Sequence, residues 1–191
     1  MLKVAFHSQY IHPLPDGHKF PMGKYQLLAE QLMYEGTLES THFFEPGICS
    51  DEHILTTHHR NYFTRLNELE LTPREQRVSG FVHNKELIVR EKRIMEGTRM
   101  CAEWALLSGA AMNIAGGTHH AYSNRGEGFC LLNDQAIAAN WLLNQKYAQQ
   151  ILIIDLDVHQ GNGTAELFQN SESVFTFSMH GKNNYPLKKE S

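Results

Sequence analysis

Cysteine is scarce in this 191-residue chain: Cys49, Cys101 and Cys130 are odd in number, widely spaced and without a CxxC pair. That pattern argues against a disulfide framework and a paired-thiolate zinc site, and it fits a reducing, cytoplasmic setting. Excess charge of one sign is also missing. A formal net charge of −4 gives no basic field for phosphate backbones, so no direct nucleic-acid partner is expected. No apolar run approaches the length needed to span a bilayer, and residues 1–7 turn polar too soon for a secretory signal. No membrane partner is therefore expected. Internal repeats and low-complexity tracts are absent too. What is present, 41% hydrophobic and 20% charged residues, is enough for the core of one domain. Histidine is the outlier, with twelve residues.

Short apolar runs alternate with helical periodicity along the chain. Strands are expected at 3–7, 43–48, 110–115, 151–154 and 174–179, and helices at 24–35, 53–71 (ended by Thr72-Pro73), 86–108 and 134–143. Residues 9–23 form a long polar loop of the kind that often carries function. The alternation predicts βαβ units, hence an α/β fold of three α/β/α layers around a mostly parallel sheet. Ligands in such folds gather at the carboxyl ends of strands. The run Ile151-Leu152-Ile153-Ile154 reads as a strand buried on both faces.

Asp155-Leu156-Asp157-Val158-His159 follows that strand. If it stays extended, Asp155, Asp157 and His159 share one face, with neighbours about 6.6 Å apart. Adjacent members of that set can converge on one ion, and aspartate with histidine suits zinc or a similar divalent metal. A lone Asp at a strand end is commonly a cap, but three ionisable groups after four apolar residues are hard to explain that way. Gly161 stands where a further carboxylate would serve a second transition metal, so one catalytic metal is expected.

In Gly116-Gly117-Thr118-His119-His120-Ala121, two adjacent histidines follow a glycine turn. Alone they would more often be exposed polar residues. Beside a metal they have the right pKa range to act as general base and acid, with Asp155 and Asn162 as candidates to orient their second nitrogens. The segment Gly126-Glu127-Gly128-Phe129-Cys130-Leu131-Leu132-Asn133-Asp134 offers small residues for close approach, an aromatic that could wall an apolar channel, and Asn133 as an N-cap.

Together these segments, with Asp155-Leu156-Asp157-Val158-His159-Gln160-Gly161-Asn162-Gly163 and Phe177-Ser178-Met179-His180, resemble the histone deacetylase family of the arginase/deacetylase fold, in its class IV-like and bacterial members. The resemblance covers essentially the whole chain. It implies Asp157 and His159 as zinc ligands, with ferrous iron as an alternative, and His119 and His120 as the acid/base pair. Asp155 would be the partner of His119 and Asn162 that of His120. Asp155, Ser178 and Met179 would belong to a structural potassium site that also uses backbone carbonyls of Asp157 and His159, and Gly128 and Phe129 would line a tunnel for an acylated lysine-like chain. The implied activity is hydrolysis of an acylated lysine peptide or acylated small amine. The family takes a third metal ligand, an Asp, and an oxyanion-stabilising Tyr from segments downstream of the Phe-Ser-Met-His strand. Residues 1–191 are therefore expected to be the N-terminal portion of one catalytic domain, incomplete at its C-terminus, holding metal weakly and turning over little alone. The competing readings are a metal- or acyl-lysine-binding protein without turnover and a ureohydrolase-like metalloenzyme, which Gly161 disfavours. Oligomeric state is not legible in the sequence.

Overall fold

The computed structural model describes residues 1–190. Strands β1 (Lys3–Ala5), β2 (Phe43–Phe44) and β3 (Ala111–Asn113) form a parallel sheet in the order β2-β1-β3. Strands β4 (Ile151–Asp155) and β5 (Val174–Ser178) form a second parallel ladder. Helices α1 (Lys24–Tyr34), α2 (Asp51–Leu55), α3 (Arg60–Asn67), α4 (Pro73–Ser79), α5 (Lys85–Ser108), α6 (Asp134–Asn144) and α7 (Asn162–Phe168) connect and cover them. All strand pairings among the described residues are parallel, so the α/β class expected from the alternating pattern is found.

The long α5 organises the main core. Leu87, Ile94 and Met95 are fully buried with Tyr10, Ile54, Leu66, Leu131 and Ile137. Asn84 caps its start by accepting the Leu87 N–H at 2.8 Å, and Gly109 ends it in a left-handed turn at φ 85°. Gly97 lets this helix approach closely, since a β-carbon there would lie 2.3 Å from the Tyr10 hydroxyl. A smaller core joins Ala136 and Ala139 of α6, Phe168 of α7, Ile153 and Val174.

Three local expectations are corrected. The single helix expected over 53–71 is two helices, α2 and α3. Thr72-Pro73 does not only end a helical stretch; it begins α4. Thr72 Oγ1 accepts the Glu75 N–H at 3.3 Å and Glu75 accepts the Thr72 N–H at 2.8 Å, a capping box with Pro at the first helical position. Finally, β4 is buried on one face only. Ile153 points at α6 and α7, while Leu152, Ile154, Phe175 and Phe177 are exposed, because these helices lie on one side of the ladder.

Candidate active site

The two histidines leave β3 through a tight turn whose anchor is Asp134. Its Oδ1 accepts the Thr118 N–H at 2.8 Å and hydroxyl at 2.7 Å; its Oδ2 accepts the Gly117 N–H at 3.2 Å and the Thr98 hydroxyl at 2.6 Å. The carboxylate fills the space a side chain at Gly116 would need, and Gly116 and Gly117 have φ of 147° and 67°. Asp134 was not among the expected site residues. The available signal was its place directly after the cap Asn133, whose Oδ1 does accept the Ala136 N–H at 3.0 Å.

That turn sets the rings of His119 and His120 with centroids 4.1 Å apart, both buried. His119 Nδ1 lies 2.6 Å from Asp155 Oδ2, and His120 Nδ1 lies 2.6 Å from Asn162 Oδ1. An ionised carboxylate only accepts, so His119 Nδ1 carries the hydrogen. For His120 the direction follows from a chain: Asn162 Nδ2 donates to the Tyr122 hydroxyl at 2.9 Å, and Tyr122 donates to Glu190 at 3.1 Å. Asn162 therefore presents its oxygen to His120, whose Nδ1 donates and whose Nε2 keeps its lone pair. Burial, then the adjacent His119, depresses the His120 pKa to about 4 against the weaker opposing bond to Asn162, so the ring is neutral at physiological pH.

Asp155 ends β4. Burial would raise its pKa, but the bonds from His119 and from the Asp157 N–H to Oδ1 at 3.0 Å together hold it below the usual carboxylate range. Beyond Asp155 the strand bends, so the expected alternation over Asp155, Asp157 and His159 does not continue. The bend brings Asp157 Oδ1 to 3.0 Å from His159 Nδ1. Two ligands of one tetrahedral zinc stand about 3.3 Å apart. The pair therefore fits two positions on one divalent ion, and the half-exposed side chains face the same cleft as the histidine pair. A catalytic zinc normally takes three protein ligands; Asp157 and His159 supply two, while Asp155 is tied to His119 and Cys130, which also lines the cleft, is tied to Gly128 O at 3.6 Å.

Gly161 has its own explanation in the structure. A β-carbon there would fall 2.3 Å from Asp155 Oδ2, the atom that receives His119. Gly163 likewise brings the first turn of α7 against the histidine segment, with Thr164 N–H donating to His119 O at 3.1 Å.

The cleft, of about 320 Å³, runs from these groups past Gly128 and Phe129 towards Phe20 and Arg90. Gly128, at φ 53°, lies so close that a β-carbon would be 2.6 Å from His120 Cδ2. Phe129 follows at φ 67°, its N–H bonded to Ser79 O at 2.8 Å. Its ring packs on Phe20 and Phe81 at 5.3 and 5.5 Å, so it serves as both cleft wall and edge of the core. Tyr185 was missed by sequence reasoning. Its ring stands edge-on to His120 at 5.0 Å, and its hydroxyl donates to Glu127 at 2.6 Å. The usable signal was an aromatic in the polar loop just after the Phe-Ser-Met-His strand end.

Of the remaining expected residues, Ser178 sits opposite Asp155 in the β4/β5 register, and Met179 N–H donates to Asp155 O at 3.0 Å. The Ser178 hydroxyl is bonded to His180 Nδ1 at 2.9 Å, and the Met179 side chain is exposed.

The parallel α/β fold agrees with the comparisons to known proteins. Residues 18–191 match the histone deacetylase domain family, and the chain belongs to that family. It is 41% identical over 187 residues to an uncharacterized protein of a Picosynechococcus species, covering 98% of this chain and 62% of that protein. It is 31% identical to the acetoin utilization protein AcuC of Staphylococcus xylosus, covering 85% of this chain and 45% of the relative. The crystal structure of an HDAC homolog complexed with SAHA superimposes with a TM-score of 0.84 at 26% identity, covering 98% of this chain and 54% of that one. The chain thus spans roughly half to three fifths of the length of these relatives.

Proposed function

We propose that this protein is a zinc- or iron-dependent deacylase that hydrolyses the amide of N-acetyl-lysine or a related N-acyl amine. The observation that carries this reading is the pair of 2.6 Å bonds, His119 to Asp155 and His120 to Asn162, which fix both imidazoles beside Asp157 and His159. Asp157 and His159 would hold the metal. The chemistry that such an ion supplies when bound is polarisation of the acyl carbonyl and acidification of a water. His120 Nε2, its other nitrogen tied to Asn162, accepts the proton of the attacking water. His119, its Nδ1–H held by Asp155, supports the protonated pair, which returns a proton to the departing amine. The products are a free amine and a carboxylate. Gly128, Phe129 and Phe20 give an otherwise mostly polar cleft one apolar side, suited to the methylenes of a lysine-like chain. A structural potassium ion is part of the same proposal, supported by Asp155 and Ser178 facing each other in register beside Met179. So is a cytoplasmic location, supported by three free, buried cysteines.

The test is hydrolysis of an acetyl-lysine peptide by the chain reconstituted with zinc or ferrous iron, compared with His120→Ala. Turnover that falls by about 10²–10⁴ in the variant supports the reading. Turnover unchanged in the variant overturns it. A metal set of two donors, Asp157 and His159, rather than three favours a second reading, in which this chain alone binds an acyl amine without turnover. Tight binding of an acetyl-lysine peptide without product would select it.

A further inference from the structure

We propose that Cys49, His53 and Glu96 form a second divalent-metal site, of zinc class, separate from the cleft that holds the histidine pair. One ligand atom from each of the three lies within 4.8 Å of the others, and none of these residues lines that cleft. The sequence shows no such site because Glu96 is distant in the chain and the thiol is not in a CxxC pair. The fold builds it. Cys49 N–H donates to Lys92 O at 3.1 Å, and Lys92 and Glu96 are four residues apart on one face of α5, so Cys49 is docked onto the face that carries Glu96. Lys92 Nζ bonds Asp51 Oδ1 at 2.8 Å, pinning the start of α2 to α5, and Ser50 caps His53 N–H at 3.3 Å, which fixes the histidine one turn into α2.

The alternative is a core thiol that only packs beside the histidine and the carboxylate. Two observations weigh against it. His53 Nδ1 is buried with no protein hydrogen-bond partner, a condition rare for an imidazole nitrogen unless an ion or a water satisfies it. Arg99 holds both oxygens of the Glu96 carboxylate at 2.8–3.1 Å, yet it also reaches Glu103 at 3.2 Å and stacks over Trp141 at 4.8 Å, so it keeps a carboxylate and an aromatic partner if Glu96 turns to an ion. Tetrahedral zinc needs its ligand atoms about 3.3–3.6 Å apart. The three groups must therefore close by at most about 1 Å, within reach of rotation by the partly exposed His53 and Glu96. Thiolate, imidazole and carboxylate together suit zinc or cobalt, not magnesium or calcium. On binding, a metal–sulfur bond replaces the S–H bond and the proton passes to solvent. A water takes the fourth position, and the ion ties the five-residue α2 to α5.

The experiment is a cobalt(II) titration of the whole chain followed by absorption. Asp157 and His159 contain no sulfur, but Cys130 lines their cleft, so a thiolate-to-cobalt charge-transfer band is assigned to this site by its dependence on Cys49. The expected result is one equivalent of cobalt producing that band, its loss in Cys49→Ser, and its retention in the double variant Asp157→Asn, His159→Ala. In Glu96→Gln, which leaves the buried thiol in place, the apparent affinity should fall by at least about tenfold, since loss of even a supporting partner at a metal site costs that much. No band in the native chain, a band that survives Cys49→Ser, or undiminished affinity in Glu96→Gln would each overturn the proposal.

Discussion

Gly163→Ala separates two opposed effects of known size. Gly163 lies in the first turn of α7, where replacing glycine by alanine would ordinarily stabilise a helix by about 1 kcal/mol. In this fold the new β-carbon would meet Ala121 O at 2.3 Å, the carbonyl carbon of that residue at 2.6 Å and that of His120 at 2.7 Å. These are backbone atoms, so no side-chain rotation relieves the overlap, and α7 or the histidine segment must move by about 1 Å to restore van der Waals contact. Overpacking of this kind costs about 1–3 kcal/mol, enough to reverse the propensity gain. The net loss should lower the melting temperature by several degrees, at roughly 2–4 °C per kcal/mol for a chain of this size. Because Asn162 and Thr164 of α7 hold His120 and His119 O, the same shift should reduce deacylation by up to about a hundredfold. Thermal unfolding with a reconstituted activity assay reads both. A Gly163→Ala chain at least as stable as the native one, with unchanged turnover, would refute the close approach on which the geometry depends.

Other consequences follow from single groups. Asp134→Asn loses acceptor capacity for Thr118 and Gly117 and should cost about 1–3 kcal/mol by chemical denaturation, with a fall in turnover although the residue touches no reacting atom. Equal stability in the variant would show that the turn holds without it. His58 is fully buried, with Nδ1 bonded to Tyr122 O at 2.9 Å and Nε2 accepting the Asn133 N–H at 3.0 Å, and burial lowers its pKa from 6.5 to about 4. A depressed folded value means the unfolded chain binds the proton first. Its contribution is therefore present above pH 6.5 and lost as pH falls towards 4, on the order of 3 kcal/mol, and pH-dependent urea midpoints should lose that slope in His58→Gln. Gly161→Ala would push on Asp155 Oδ2 and should cut turnover more than stability, because the displaced oxygen is the one that orients His119. A variant with native kcat would show that Asp155 can move without cost.

The α/β class, the helix bounds of α1, α5 and α6, and the strands around β4 and β5 were legible from apolar periodicity alone, because burial of one face repeats at fixed spacing. The capping box at Thr72 and Glu75 was equally present in the sequence but masked by reading Pro as a stop. Residue identities also named Asp155, Asp157 and His159, because few other roles explain three titratable groups after an apolar run, and the family resemblance added His119, His120 and Asn162. What the chain order could not supply was the pairing across it. Asp134 as anchor of the histidine turn, Tyr185 against His120, and the meeting of Cys49 and His53 with Glu96 depend on how α5, α6 and the loop after β5 pack. The bend after Asp155, which replaces the expected extended alternation, is set by the Asp157 N–H turning back to the Asp155 carboxylate. Sequence determined which chemistry was available; only tertiary packing decided which atoms stand within bonding distance, since contacts between residues far apart in the chain leave no local periodicity to read.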